Sequence, residues 1–202
     1  MQLRMWKRVE GRVPLKEKSE MNKTENCKSD LKSKIRRIPE FKGVVFWDIT
    51  PLLKDKECFK ESIRLLADHY RDKDIDVIVS NEARGFIVGA ALAYELGVGF
   101  VPVRKKGKLP SKCVDLTYKK EYECDTIEVH KDAIEKGQKV LLIDDLLATG
   151  GTIKANIDLV EKLGGEVVGI GFLIELGYLD GRKAIGDKYE IFSIIHYDTT
   201  DG

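Results

Sequence analysis

The chain has 202 residues, with 35 Lys or Arg against 34 Asp or Glu and a formal net charge of +1. That length suits one domain with a core able to hold itself together, and the near-neutral balance gives no overall pull toward nucleic acid or an anionic membrane. No apolar run reaches membrane-spanning length, and the opening residues lack a signal-peptide core; neither nucleic acid nor membrane is expected as a partner.

Residues 1–40 hold twelve Lys or Arg against six Asp or Glu, a surplus of six, so the rest of the chain carries a deficit of five. Few apolar residues and no sustained period occur there, so residues 1–25 read as a disordered, solvated basic leader and 26–202 as the folded domain. Met21 is an alternative start. From Asp30 the pattern predicts a short helix running to Ile38–Gly43, followed by the apolar Val44-Val45-Phe46. Thr50-Pro51 opens a new segment, in which Phe59, Ile63, Leu66 and Tyr70 share one helical face. Ile75–Ser80 reads as a buried strand, and Arg84 follows it in a glycine-containing loop. The next helix is rich in small residues (Gly89, Ala90, Ala91, Ala93), which permits close approach to a sheet. Gly99–Val103 is another strand.

Arg104-Lys105-Lys106-Gly107-Lys108 places four cations in five residues. A polar stretch then runs to Glu121-Tyr122. Taken alone these are a solvated charge run and an exposed acid. Together, residues 106–122 read as a long loop able to close over a site, as active-site lids do. Cys27, Cys58, Cys113 and Cys124 form no C-x-x-C pair, and His69, His130 and His196 are scattered. Reduced cytoplasmic thiols and no resident metal site are therefore expected.

The most informative run is Val140-Leu141-Leu142-Ile143-Asp144-Asp145-Leu146-Leu147-Ala148-Thr149-Gly150-Gly151-Thr152. A buried strand passes through two carboxylates into a glycine turn, and Ile153, Ile157, Val160 and Leu163 then repeat at helical spacing before Gly164-Gly165. Backbone N–H groups and hydroxyls between Thr149 and Thr152 suit a phosphate dianion at a helix start. Asp144 and Asp145 would repel that phosphate but accept hydrogen bonds from vicinal hydroxyls, which suggests a ribose 5-phosphate. No Walker loop or three-glycine dinucleotide fingerprint occurs. Glu166–Ile174 and Tyr189–Ile195 complete the strands, and the alternation of strands and helices predicts an α/β fold with a parallel, helix-flanked sheet.

Five ordered motifs give the chain its resemblance to the adenine phosphoribosyltransferases, of the type I phosphoribosyltransferases: Gly43–Pro51, Glu82–Phe86, Arg104–Pro110, Glu121-Tyr122 and Asp144–Thr152. The resemblance implies a small N-terminal hood, a flexible active-site loop, and transfer of 5-phosphoribosyl from phosphoribosyl pyrophosphate (PRPP) to N9 of adenine, with Mg²⁺ carried in by PRPP. It implies that Asp144 and Asp145 hold the ribose hydroxyls and that Ala148, Thr149, Gly150, Gly151 and Thr152 cradle the 5′-phosphate. Arg84, Lys105 and Lys108 would meet pyrophosphate, with Arg104 and Tyr122 also at the substrate. Adenine would lie between Phe46 and Leu146, its edge read by backbone groups of Val45 and Trp47, with Glu121 near N7. A homodimer is also implied.

Two features depart from the family pattern. Trp47 stands where a basic residue is usual, and Ile38–Gly43 is two residues shorter than the common version. Rival readings are a phosphoribosyltransferase for another purine and a PRPP-sensing regulator without chemistry. The Arg104–Pro110 motif argues against the first. The complete set of leaving-group cations argues against the second.

Overall fold

The computed structural model describes residues 27–119 and 124–201. The leader, Met21, Glu121 and Tyr122 lie outside the described residues. Residues 27–33 belong to helix α1, which buries Leu31 in the core. Strands β1 (Arg36–Phe41) and β2 (Val44–Asp48) form an antiparallel hairpin separate from the main sheet. Its turn places Lys42 and Gly43 at positive φ. Asp48 ends β2 and accepts hydrogen bonds from the Thr50 N–H at 2.9 Å and the Thr50 hydroxyl at 2.8 Å. Helix α2 (Thr50–Lys54) follows, with Pro51 in its first turn, where a missing N–H is harmless. Asp55 then caps α3 (Lys56–Tyr70) by accepting from the N–H groups of Glu57 and Cys58.

The main sheet comprises β3 (Val77–Asn81), β4 (Gly99–Lys105), β5 (Cys113–Lys119), β6 (Cys124–His130), β7 (Lys139–Leu147), β8 (Glu166–Leu176) and β9 (Ile191–Tyr197). Its order is β5-β6-β4-β3-β7-β8-β9. The strands from β4 to β9 in that order are parallel, as the sequence indicates. The β5–β6 hairpin is an antiparallel extension, paired with β4 at Arg104↔Glu128 and Lys105↔Ile127. Where the sequence suggested one long loop over 106–122, residues 113–119 are therefore a strand. The signal was the period-two alternation of half-buried Val114, Leu116 and Tyr118 with exposed Asp115 and Thr117, hidden beneath a high density of charge.

Alternation along the central strands divides the core. Ile78, Leu141 and Ile143 face α3 and α4 (Arg84–Leu96). Val77, Val79, Val140 and Leu142 face α5 (Gly151–Leu163). The small residues of α4 serve close approach: a Cβ on Gly89 would fall 2.1 Å from the Ser80 hydroxyl. From β3 the chain crosses through α4 to β4, while β7 flanks β3 on its other side. The crevice of this open sheet thus lies at the carboxyl ends of β3 and β7. No helix among the described residues is long and apolar enough to cross a membrane.

Candidate active site

Strand register assembles the first part of the site. Ser80 pairs with Ile143, and the Ser80 hydroxyl donates to the Ile143 carbonyl at 2.6 Å. One residue on, Asn81 Nδ2 donates to Asp144 Oδ2 at 3.4 Å. Asp144 Oδ1 accepts from the Asp145 N–H at 2.9 Å. Gly85 lets α4 begin against this acid, since a Cβ there would lie 2.5 Å from Asp144 Oδ1. Arg84 Nε stands 2.7 Å from Asp145 Oδ2, in ion-pair contact but without hydrogen-bond alignment.

Desolvation raises the Asp144 carboxyl well above its ordinary range, and the adjacent Asp145 adds to the rise. Desolvation raises Asp145 as well, opposed by the Arg84 charge. Asn81 Oδ1, Arg84 Nη1 and Asp145 Oδ2 are buried without hydrogen-bond partners. They border one cavity of about 290 Å³. Two acceptors and one cationic donor left unmet there suit a ligand that carries both hydroxyls and anionic oxygens.

The basic cluster is not a uniform patch. Arg104 Nε donates to Glu82 Oε2 at 2.6 Å, and the Lys105 N–H donates to Glu82 Oε1 at 2.8 Å. Against the cost of burial, these bonds hold the Glu82 carboxyl below its usual range. Lys106 pairs with Asp115 at 2.9 Å. The N–H groups of Lys108 and Leu109 both donate to Glu128 Oε1 at 2.9 Å. Arg104 and Lys105 border the polar cavity with Arg84, whereas Lys108 lines none of the three cavities described here.

A larger, mostly apolar cavity of about 660 Å³ lies under the hood. Gly43 to Trp47 form one wall, Leu146 and Ala148 another, and Tyr178 and Leu179 close the end. The Phe46 ring faces the Arg84 guanidinium at 4.8 Å. Trp47 is 3% exposed. Its indole stacks on Tyr197 with centroids 3.7 Å apart, and its N–H donates to the Tyr178 hydroxyl at 3.3 Å. That side chain is committed to the core.

The third part is the turn Ala148–Thr152, bordering a cavity of about 80 Å³. Gly150 at φ 84° starts α5 with no side-chain cap, leaving first-turn N–H groups available to an anion. Behind the turn, a Cβ on Gly181 would fall 2.2 Å from the Ala148 carbonyl oxygen. Gly181 opens helix α6 (Gly181–Ile185), which Arg182 fixes to buried Glu175 through contacts of 2.6 and 2.7 Å. In front, the Tyr118 hydroxyl of β5 lies 3.1 Å from Thr152 Oγ1.

The three cavities neighbour one another through shared lining residues. Arg84 borders the first and second, Asp144 the first and third, and Leu146 the second and third. The structure therefore brings together Val45, Phe46, Trp47, Arg84, Arg104, Lys105, Asp144, Asp145, Leu146 and Ala148 to Thr152. Sequence reasoning missed Asn81, Glu82, Tyr118 and Gly181. Tyr118 had a signal in the β5 alternation, whereas Gly181 had none, because its role depends on a contact about thirty residues away in the chain.

A model of the phosphoribosyl transferase domain matches residues 48–200. The chain is 57% identical to the adenine phosphoribosyltransferase of Thermotoga sp. (strain RQ2) over 170 residues, covering 83% of this chain and 99% of that protein. The crystal structure of adenine phosphoribosyltransferase from Thermoanaerobacter pseudethanolicus superposes with a TM-score of 0.82 at 53% identity, covering 84% of this chain and 99% of that one. The enzyme of that name from Saccharomyces cerevisiae, complexed with an imino-altritol bisphosphate and adenine, gives 0.78 at 38% identity, covering 84% and 99%.

Proposed function

The chain belongs to the phosphoribosyl transferase domain family and, within it, to the adenine phosphoribosyltransferases, and from that membership and the site's geometry we infer how it works. It is a transferase that moves 5-phosphoribosyl from PRPP to N9 of adenine, forming AMP and releasing pyrophosphate. The observation that carries the mechanism is the position of Arg84, between the acid pair and the hood aromatic.

The turn Ala148–Thr152 holds the 5′-phosphate with the uncapped N–H groups of α5. Asp144 and Asp145 accept hydrogen bonds from the ribose hydroxyls, which relieves their desolvation. Adenine enters between Phe46 and Leu146, a flat uncharged ring suited to stacking and backbone hydrogen bonds. Cleavage of the C1–pyrophosphate bond builds negative charge on the leaving group, and Arg84 and Lys105 face that charge where it develops. By the resemblance, Lys108 joins them and Glu121 meets the base near N7.

Among the described residues no three His, Cys, Asp or Glu side chains are grouped to hold a metal ion. Asp144 and Asp145, two of the carboxylates bordering the polar cavity, would be available to Mg²⁺ carried in with PRPP. Such an ion supplies charge neutralisation on pyrophosphate.

The homodimer reading is supported by an exposed apolar face on α4, where Ile87 is 44% and Tyr94 is 90% exposed, about two turns apart on the same side. A second copy covering that face would also adjoin Arg84. Four free cysteines support a reducing, cytoplasmic location.

The test is pyrophosphate release with PRPP and Mg²⁺, comparing adenine, hypoxanthine, guanine and xanthine. Turnover with adenine alone is expected. Preference for another base would overturn the hood assignment, and PRPP binding without turnover would favour the regulator.

A further inference from the structure

We propose that Tyr118 is a positioning residue for the 5′-phosphate, acting through the hydroxyl of Thr152; this rests on the reading of Ala148–Thr152 as the phosphate cradle. Tyr118 comes from β5, in the hairpin whose β6 pairs with the end of β4. Its ring points inward with Val114 and Leu116 and borders the polar cavity opposite Asp144 and Asp145. Its hydroxyl stands 3.1 Å from Thr152 Oγ1 in the first turn of α5.

The chemistry lies in the direction of that hydrogen bond. A threonine hydroxyl has one proton and two lone pairs. If its proton is spent on a neighbour, Thr152 presents only a lone pair to the phosphate, and two acceptors repel. A tyrosine O–H that donates to Thr152 Oγ1 fills the acceptor side and leaves the threonine proton for the dianion. Donation in series also polarises the second bond. The tyrosine is the more acidic partner, which favours it as donor to threonine. The same bond seats the hairpin on the cradle, so the strand leading toward Glu121 is aligned by the group that holds PRPP.

The experiment is a double-mutant cycle with Tyr118→Phe and Thr152→Ala, adding Thr152→Ser as the conservative variant. Phenylalanine keeps the ring and its packing, so the melting temperature should stay near wild type. Removal of Tyr118's hydroxyl should raise KM for PRPP about tenfold, on the scale of one hydrogen bond to a charged group. The turnover number and the KM for adenine should change less than about twofold, since the phosphate is bound equally in ground and transition states. In the Thr152→Ala background Tyr118→Phe should do nothing more, and with Thr152→Ser its full effect should return. An unchanged KM for PRPP in Tyr118→Phe, or losses that simply multiply in the double variant, would overturn the proposal. If Thr152→Ala itself binds PRPP like wild type, the cradle reading fails instead.

Discussion

Arg84 is held by Asp145 at 2.7 Å while its guanidinium covers the Phe46 ring at 4.8 Å. One side chain thus bridges the places assigned to ribose and to the base. Substrate must take both partners away, with ribose hydroxyls replacing the guanidinium at Asp145 and pyrophosphate drawing it off Phe46. Arg84→Ala should lower kcat/KM for PRPP by about 3 kcal/mol, roughly 100-fold. Calorimetric titration with adenine alone should nevertheless show binding no weaker than wild type, because the face of Phe46 is vacated. Weakened binding of adenine without PRPP would contradict this exchange.

The acid pair has a measurable cost. Burial raises Asp144 above the unfolded value of 3.8, so the folded chain holds that proton more tightly than the unfolded one. The carboxyl is harmless to stability below the unfolded value, and its penalty accrues as pH rises from the unfolded value toward the folded one. Asp144→Asn should therefore melt higher than wild type at pH 7, with the gain fading toward pH 4. Asn81, whose Oδ1 lacks a partner, can turn to accept from the new amide. PRPP affinity should fall in the same variant. A lower melting temperature at pH 7 would refute the desolvation account.

Trp47 should matter to the fold and little to base choice. Trp47→Ala removes a stacked pair with Tyr197 and a bond to Tyr178. Urea unfolding should register a loss of about 3–5 kcal/mol. The ratio of adenine to hypoxanthine turnover, measured well below the melting temperature, should not move.

Gly181 sits outside the site yet fixes it. Gly181→Ala sets a methyl group 2.2 Å from the Ala148 carbonyl oxygen, which is backbone and cannot swing aside. The phosphate turn must shift, at about 1–3 kcal/mol of stability. KM for PRPP should rise severalfold while KM for adenine rises less, a split that steady-state kinetics resolves.

The parts of this site legible in the sequence are those whose chemistry is local. Asp144-Asp145 and the glycine turn are contiguous, and strand-end placement follows from the buried run before them. Arg84 was legible because it stands just beyond a strand, although it opens α4 rather than lying in the loop the sequence suggests. The sharing of cations was not: Arg104 and the Lys105 N–H converge on Glu82, twenty-two and twenty-three positions back in the chain, and only the pairing of β3 with β4 brings them together. The β5–β6 hairpin was missed for another reason. Its alternation has the strand period, but so many of its residues are polar that only half-burial distinguishes it from a loop. Trp47 showed as a departure from the family pattern, and the stack on Tyr197 that explains it joins opposite ends of the domain.

That last contact bears on biosynthesis. The hood wall rests on Tyr197, and the phosphate turn rests on Gly181, whose helix is anchored by Arg182 to Glu175 and to the Ile191 carbonyl. Both substrate compartments are therefore braced by β9 or by residues tied to it. A chain emerging from the ribosome displays every residue assigned to the chemistry well before it can hold them in place. Activity should switch on only once β9 has been released, so a product stalled or cut before it would expose the acid pair and the basic cluster without a working enzyme between them.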